Sequence, residues 1–228
     1  MPIDDIKSLV IYKDDLMLVL NKPGNIPVHP GSKFKVESLE DYFEELQFGY
    51  KETPKLAHRL DRDTSGCLIL GRNLRALRKL GRLFESNQIT KTYWAVVEGT
   101  PPADTGTIDM PLAKIKLPKG WSMQPAKPGT AGSQTAVTDY KVIKRLDAGR
   151  TFLELSPRTG RTHQLRVHCQ AMGFPIMGDW LYGPNEARGE FPQLMLHARS
   201  ISIPLYPEKP PVFVEAEPPT YIKSIFDV

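Results

Sequence analysis

The segment His58-Arg59-Leu60-Asp61-Arg62-Asp63-Thr64-Ser65-Gly66 sets a carboxylate between arginines, among turn-forming residues, directly before the apolar run Cys67-Leu68-Ile69-Leu70. A guanidinium within a few ångströms favours the ionised form of a carboxylate, so Asp61 is suited to act as a nucleophile or a base. The same residue types, Asp61, Asp63, Thr64 and Gly66, also make ordinary hydrogen-bonded turns between strands, and local composition does not separate the two uses. A second cluster runs from Arg158 through Thr159-Gly160-Arg161-Thr162-His163-Gln164-Leu165-Arg166 to His168. Gly160 lies in a polar turn and a helix follows, so backbone N–H groups and Arg161 are expected to converge where a phosphate could sit, with Arg166 one turn further on. His163 and His168 have no Cys or carboxylate at metal-ligand spacing, and no Gly-rich phosphate loop follows a strand. No metal is expected.

Several elements must position these clusters. Leu9–Tyr12 and Leu16–Leu20 are apolar runs separated by Lys13-Asp14-Asp15, which predicts a hairpin stopped by Asn21-Lys22-Pro23-Gly24. Ser38 followed by Asp41 is a capping pattern, and Leu39, Tyr42, Phe43 and Leu46 recur at helical spacing up to Gly49. Asn73 caps a second predicted helix with Leu74, Leu77, Leu80 and Phe84 as its buried stripe and Arg75, Arg78, Lys79 and Arg82 on the other face. Thr90–Val97 has strand character, with Lys91, Tyr93, Ala95 and Val97 on one face and Trp94 on the other. Pro, Gly, Lys and Ser dominate from Leu117 to Gln134, which predicts a mobile basic loop. Strands are expected near Tyr140–Ile143, Thr151–Leu155, Ile201–Leu205 and Val212–Ala216, and helices near Thr162–Met172 and from about Thr220. Hairpins outnumber strand–helix–strand alternation, so the fold class is α+β: a mixed, mostly antiparallel central sheet flanked by helices and loops.

The chain has 228 residues, 40% of them hydrophobic and 25% charged, ordinary for a globular protein of one catalytic-sized domain. No apolar run is long enough for a membrane span, the first residues lack a secretory signal, and only Cys67 and Cys169 are cysteines. A soluble protein of the reducing cytoplasm is expected. Thirty Lys and Arg against 26 Asp and Glu leave +4, unevenly spread. Acids gather at Glu37–Glu45; bases gather at Arg72–Arg82, Lys114–Lys127 and Arg158–Arg166. Separated signs can steer a polyanion onto one face, and Trp121 among Lys116, Lys119 and Lys127 adds a stacking surface.

The Asp61 segment, Lys91–Gly99, Gly160–His168, Pro175-Ile176-Met177-Gly178-Asp179 and Leu196-His197-Ala198, taken in this order, resemble the motifs of the RluA family of RNA pseudouridine synthases. Asn21-Lys22-Pro23-Gly24 is similar to that family's N-terminal strand ending, and the resemblance covers about residues 9–216 of one domain spanning 1–228. It implies the pseudouridine synthase catalytic fold and cofactor-free isomerisation of uridine in rRNA or tRNA. By the family's motifs, Asp61 would be the catalytic carboxylate, Arg166 its ion-pair partner and Tyr93 the ring against the uracil. Arg59 would fill the space vacated by the flipped nucleotide, and Arg161 and His163 would bind substrate. The strand at Leu9 is expected to leave no room for the small N-terminal RNA-binding module of some relatives, so substrate choice would come from the catalytic domain and its loops; RNA is the expected partner, of a monomer with no obligatory protein and no membrane. A carboxylate-dependent nucleoside or glycoside hydrolase, pairing Asp61 with Asp63 or Glu154, and a non-catalytic RNA-binding protein are the competing readings.

Overall fold

The computed structural model describes residues 5–30, 37–118, 120–183 and 193–226. In chain order the strands are β1 Val10–Lys13, β2 Met17–Lys22, β3 Lys55–Leu56, β4 Ser65–Gly71, β5 Thr90–Glu98, β6 Thr105–Asp109 and β7 Leu112–Leu117. They continue as β8 Gly120–Pro125, β9 Ser133–Gln134, β10 Val137–Arg145, β11 Arg150–Pro157, β12 Leu196–Ile203 and β13 Val212–Glu215. The α-helices are α1 Leu74–Glu85, α2 Gln164–Ala171 and α3 Thr220–Phe226. This is the expected α+β class. The chain forms two compact units, one running to Lys91 and resuming at His197, the other Thr92–Leu196.

In the first unit the strands lie in the order β1-β2-β4-β12, with β13 on β12 and β3 on β4. The expected hairpin is present: Lys13 pairs with Leu18 and Val10 with Leu20. β4 is buried along its whole length and Met17–Leu20 of β2 are buried as well, as continuous apolar runs require when both faces of a strand are covered. β12 runs parallel to β4, placing Ala198 beside Gly66, while the other strand pairs of this unit are antiparallel. Ser38 and Asp41 make the expected capping box, but Leu39–Leu46 is a 3-10 helix. Its ends are tightened by three-residue bonds, from Asp41 N–H to Ser38 O and from Gln47 N–H to Glu44 O. Asn73 caps α1 through the Ala76 N–H. The expected stripe on α1 is shifted: Ala76 and Leu80 are buried, whereas Leu74, in the first turn, is 53% exposed.

The second unit has the order β5-β11-β10-β6 and a separate small sheet, β8-β7-β9. That small sheet corrects the expected loop. Pro118 and Gly120, at φ +96°, punctuate a hairpin in which Lys116 faces Trp121 and Lys114 faces Met123; Lys119 lies outside the described residues. Leu112, Met123, Ala136 and Val167 form a buried cluster under this sheet, with Tyr182 against it. α2 is buried from Gln164 to Cys169, so its polar side chains must be satisfied inside the protein. Gln164 donates to Val137 O and Thr138 Oγ1, and His168 bridges Thr138 Oγ1 and Met110 O. His168 is therefore a packed histidine.

Two features of the first unit are open to test. Gly66 has φ +108°, and a Cβ there would lie 2.2 Å from Ala198 O, a backbone atom. The Gly66→Ala variant is expected to lose at least about 3 kcal/mol, from the left-handed backbone cost and displacement of β12, and urea unfolding would measure it. His197 is fully buried between Ser65 Oγ at 2.9 Å and Ala216 O at 3.0 Å. Burial pushes the imidazole down to about 4. The unfolded chain binds this proton near the ordinary value of about 6.5 and the folded chain resists it until about 4, so stability falls on acidification across that window. The expected slope is up to about 1.4 kcal/mol per pH unit. Chemical unfolding at a series of pH values should show it in the wild type and a flatter dependence in His197→Gln.

Candidate active site

The Asp61 turn is built from both sides. Thr64 N–H donates to Asp61 O at 3.2 Å, so the segment is the hydrogen-bonded turn its composition allowed. His58 anchors the near end: Ile69 N–H donates to its Nε2 at 3.0 Å, leaving the proton on Nδ1, and its ring packs on Phe84 at 4.6 Å. Burial, and then the neighbouring Lys91, push His58 down to about 3, so it serves as a neutral acceptor. The far end is tied by Lys22, whose side chain is fully buried. Its Nζ donates to Pro23 O at 2.8 Å, Ile26 O at 2.9 Å and Arg62 O at 2.8 Å. Burial pushes this ammonium down to about 7, opposed by the carboxylates of Asp63 and Asp61. Three carbonyls match the three N–H bonds of the charged form; a neutral amine would leave one unmet. Arg62 turns outward, its Nε on Asn25 O at 3.3 Å and 3.8 Å from Asp63 Oδ1. Asp63 is buried, Asp61 half-buried and Arg59 exposed.

In the second unit, Tyr93 is half-buried on β5, opposite Leu155 of β11, and the next residue, Trp94, packs edge-on against Phe152 at 5.3 Å. Arg166 projects from buried α2, and its guanidinium is gripped in parallel by Asp179, Nε to Oδ2 at 2.8 Å and Nη2 to Oδ1 at 2.7 Å. Both side chains are almost wholly buried, a setting in which bidentate geometry offsets part of the desolvation cost. Asp179 Oδ1 also accepts from Leu181 and Tyr182 N–H, so the carboxylate is itself fixed. The Tyr182 ring lies 5.3 Å from the Arg166 guanidinium carbon, and its hydroxyl meets His163 Nδ1 at 2.7 Å.

The phosphate cradle expected around Gly160 and Arg161 takes a different form. Arg161 N–H donates to Gln164 Oε1 and its Nε donates to Thr135 O, so both face protein acceptors. His163 stands at the start of α2 with φ +53°, half-buried, its ring stacked on Trp121. Arg166 and His163 thus share Tyr182 as a neighbour. The sequence reading did not single out Lys22, Asp179 or Tyr182. A lysine closing the buried run Met17–Leu20, and the Gly178-Asp179 step, were the available signals.

The model of the RNA pseudouridylate synthase family matches residues 16–171. An uncharacterized RNA pseudouridine synthase of Zymomonas mobilis is 41% identical over 212 residues, covering 92% of this chain and 93% of that protein. The dual-specificity RNA pseudouridine synthase RluA of Yersinia pestis is 38% identical, covering 86% and 91%. Among solved structures, human RNA pseudouridylate synthase domain containing 4 superposes with a TM-score of 0.78 at 25% identity, over 97% of this chain and 93% of that one. With a family match over most of its length and relatives covered nearly end to end, this chain belongs to the RluA family of RNA pseudouridine synthases, isomerases of uridine in RNA.

Proposed function

We propose that this chain converts uridine in structured rRNA or tRNA to pseudouridine with Asp61 as the catalytic carboxylate. The observation that carries the assignment is the bracing of the Asp61 turn: Lys22 and His58 fix its two ends, and of the two carboxylates in the motif Asp63 is buried whereas Asp61 is half-buried and within reach of substrate. The carboxylate either attacks the ribose anomeric carbon or starts the reaction as a base. The bond from that carbon to the ring nitrogen breaks, the uracil turns, and a ring carbon bonds in its place. That ring carbon gives up a proton and the freed nitrogen gains one, so the product has the mass of the substrate. Arg166 is the ion-pair partner assigned to Asp61 in this reading, and Asp179 holds its guanidinium in orientation. Tyr93 offers its ring to the uracil, and Arg59 fills the space left by the flipped nucleotide, which leaves its stack at a cost of a few kcal/mol. Arg161 and His163 contact the RNA.

More than one class of RNA is admitted because the Yersinia pestis relative is named as dual-specificity. The chain works as a monomeric single catalytic domain, without cofactor or obligatory protein partner. A reducing cytoplasm suits its two buried thiols. The face of α1 that carries Arg75, Arg78, Lys79 and Arg82 lines a shallow groove and supplies phosphate contacts without reading bases.

Asp61→Asn is expected to abolish pseudouridine formation while RNA affinity stays within about tenfold, or 1.4 kcal/mol, of wild type. Pseudouridine mapping of cellular RNA, paired with filter binding, checks this; undiminished turnover by the variant refutes the role. Free uracil released from RNA would instead mark a hydrolase. Arg75→Gln and Arg78→Gln should each weaken binding and reduce the salt dependence by about one counterion, with the same uridine modified. A changed target position would show that these arginines select sequence.

A further inference from the structure

We propose that the β7–β8 hairpin carries a stacking site for an unpaired nucleotide of the substrate RNA, with Trp121 as the platform and Lys114 and Lys116 as its phosphate contacts. This rests on the RNA isomerase reading above and adds a contact outside the reacting uridine.

Trp121 sits beyond the buried cluster under the hairpin, not within it. Met123, two residues on, reaches that cluster, whereas Trp121 is 41% exposed. A large aromatic in such a position gains little from burial in the free protein. Its orientation is nonetheless fixed. The ring stacks on His163 with centroids 5.5 Å apart and planes 20° from parallel. His163 is held in turn by Tyr182, whose hydroxyl lies 2.7 Å from His163 Nδ1 and accepts from Met123 N–H at 3.2 Å. The indole is thus preorganised through a chain of contacts ending in the core, so a base landing on it adds little ordering cost.

The surroundings point to a polyanion. From Leu112 to Pro125 the sequence contains Lys114, Lys116 and Lys119 and no acidic residue. Lys116 is directly opposite Trp121, and Lys114 Nζ lies 4.3 Å from the centroid of its ring. An exposed lysine is a flexible occupant, and an arriving base can displace it, the ammonium then moving to the adjoining phosphate. Aromatic ring and cations together form the arrangement that binds single strands, since every base has a face to stack and every nucleotide brings a phosphate. A duplex keeps its bases stacked on one another and cannot use the ring. The platform also leads to the chemistry: His163 touches Tyr182, and Tyr182 packs on Arg166. The stacking site is thus joined by packed side chains to Arg166 within the same unit.

The test uses the full chain and variants Trp121→Phe and Trp121→Ala, with a short single-stranded oligouridylate and an RNA duplex of equal length as probes. The oligouridylate should quench wild-type tryptophan emission, the duplex should not, and Trp121→Phe should remove most of the quench although two tryptophans remain. Trp121→Ala should bind the oligouridylate about tenfold more weakly, toward the lower end of what one stacked base contributes, and Trp121→Phe should bind within about twofold of wild type. With cellular RNA as substrate, Trp121→Ala should raise KM and leave kcat unchanged. Wild-type affinity in Trp121→Ala, an equal loss on single strand and duplex, or a fall in kcat at constant KM each overturns the proposal. If the wild type quenches as expected but makes no pseudouridine, the enzymatic assignment fails and the stacking site stands. Normal pseudouridine formation by Trp121→Ala at unchanged KM has the opposite meaning.

Discussion

One buried ammonium, that of Lys22, governs the geometry of the Asp61 turn. It holds carbonyls from two separate loops, Pro23 and Ile26 on one side and Arg62 on the other. Only the charged form has a donor for each, so the relative position of these loops depends on the lysine keeping its proton. Burial works against that proton, while Asp63 and Asp61 work for it. The cation and the carboxylates therefore support one another: the carboxylates favour the charged lysine, and the charged lysine holds the turn that carries them. Hydrophobic packing alone would not fix this loop, because Arg59 and Arg62, which flank Leu60 and Asp61, are exposed and leave only Leu60 to anchor it in the core.

The second unit solves a similar problem by a different route. α2 is buried on every side, yet it carries Gln164, Arg166 and His168. Each has acceptors or donors supplied by neighbouring elements, and Arg166 has a carboxylate presented in parallel. A buried ion pair adds little net stability compared with apolar side chains of the same shape, but losing one partner costs about 3–5 kcal/mol. Its presence in the interior thus calls for a reason beyond packing, and aiming a rigid guanidinium is one. The reach of the pair is extended by Tyr182, which touches Arg166 by its ring and His163 by its hydroxyl.

Much of this was legible in the sequence, and the parts that were not share a cause. Local signals succeeded: the Asn73 cap, the hairpin at Lys13–Asp15 and the strand from Thr90 depend on neighbours in the chain. The Asp61 turn was recognisable from its composition and from the family motif. Residues whose role depends on distant partners were invisible. Lys22 read as the end of a strand because nothing near it reveals that Arg62 O lies in reach. Asp179 read as one letter of a motif, since its pairing with Arg166 is made by the fold. The hairpin at Leu112–Pro125 was missed for the opposite reason: Pro118 and Gly120 looked like loop composition when they were the turn of a strand pair. Leu74 fitted a helical stripe by spacing, but in the first turn of α1 it points past the surface that buries Ala76 and Leu80.

An enzyme that uses a carboxylate on a polyanion must reconcile a catalytic negative charge with a substrate that repels it. This chain divides its cations between two depths. Lys22 and Arg166 are buried, where screening by salt is weak; Lys22 holds the carbonyls of the Asp61 turn and Arg166 is paired with Asp179. Arg75 and Arg78 of α1, and Lys114 and Lys116 of the hairpin, are exposed, where salt screens them within about 8–10 Å, and the proposed reading gives them the approach of RNA. In that reading the buried cations order the groups around the carboxylates, and the exposed ones give the phosphates somewhere to bind.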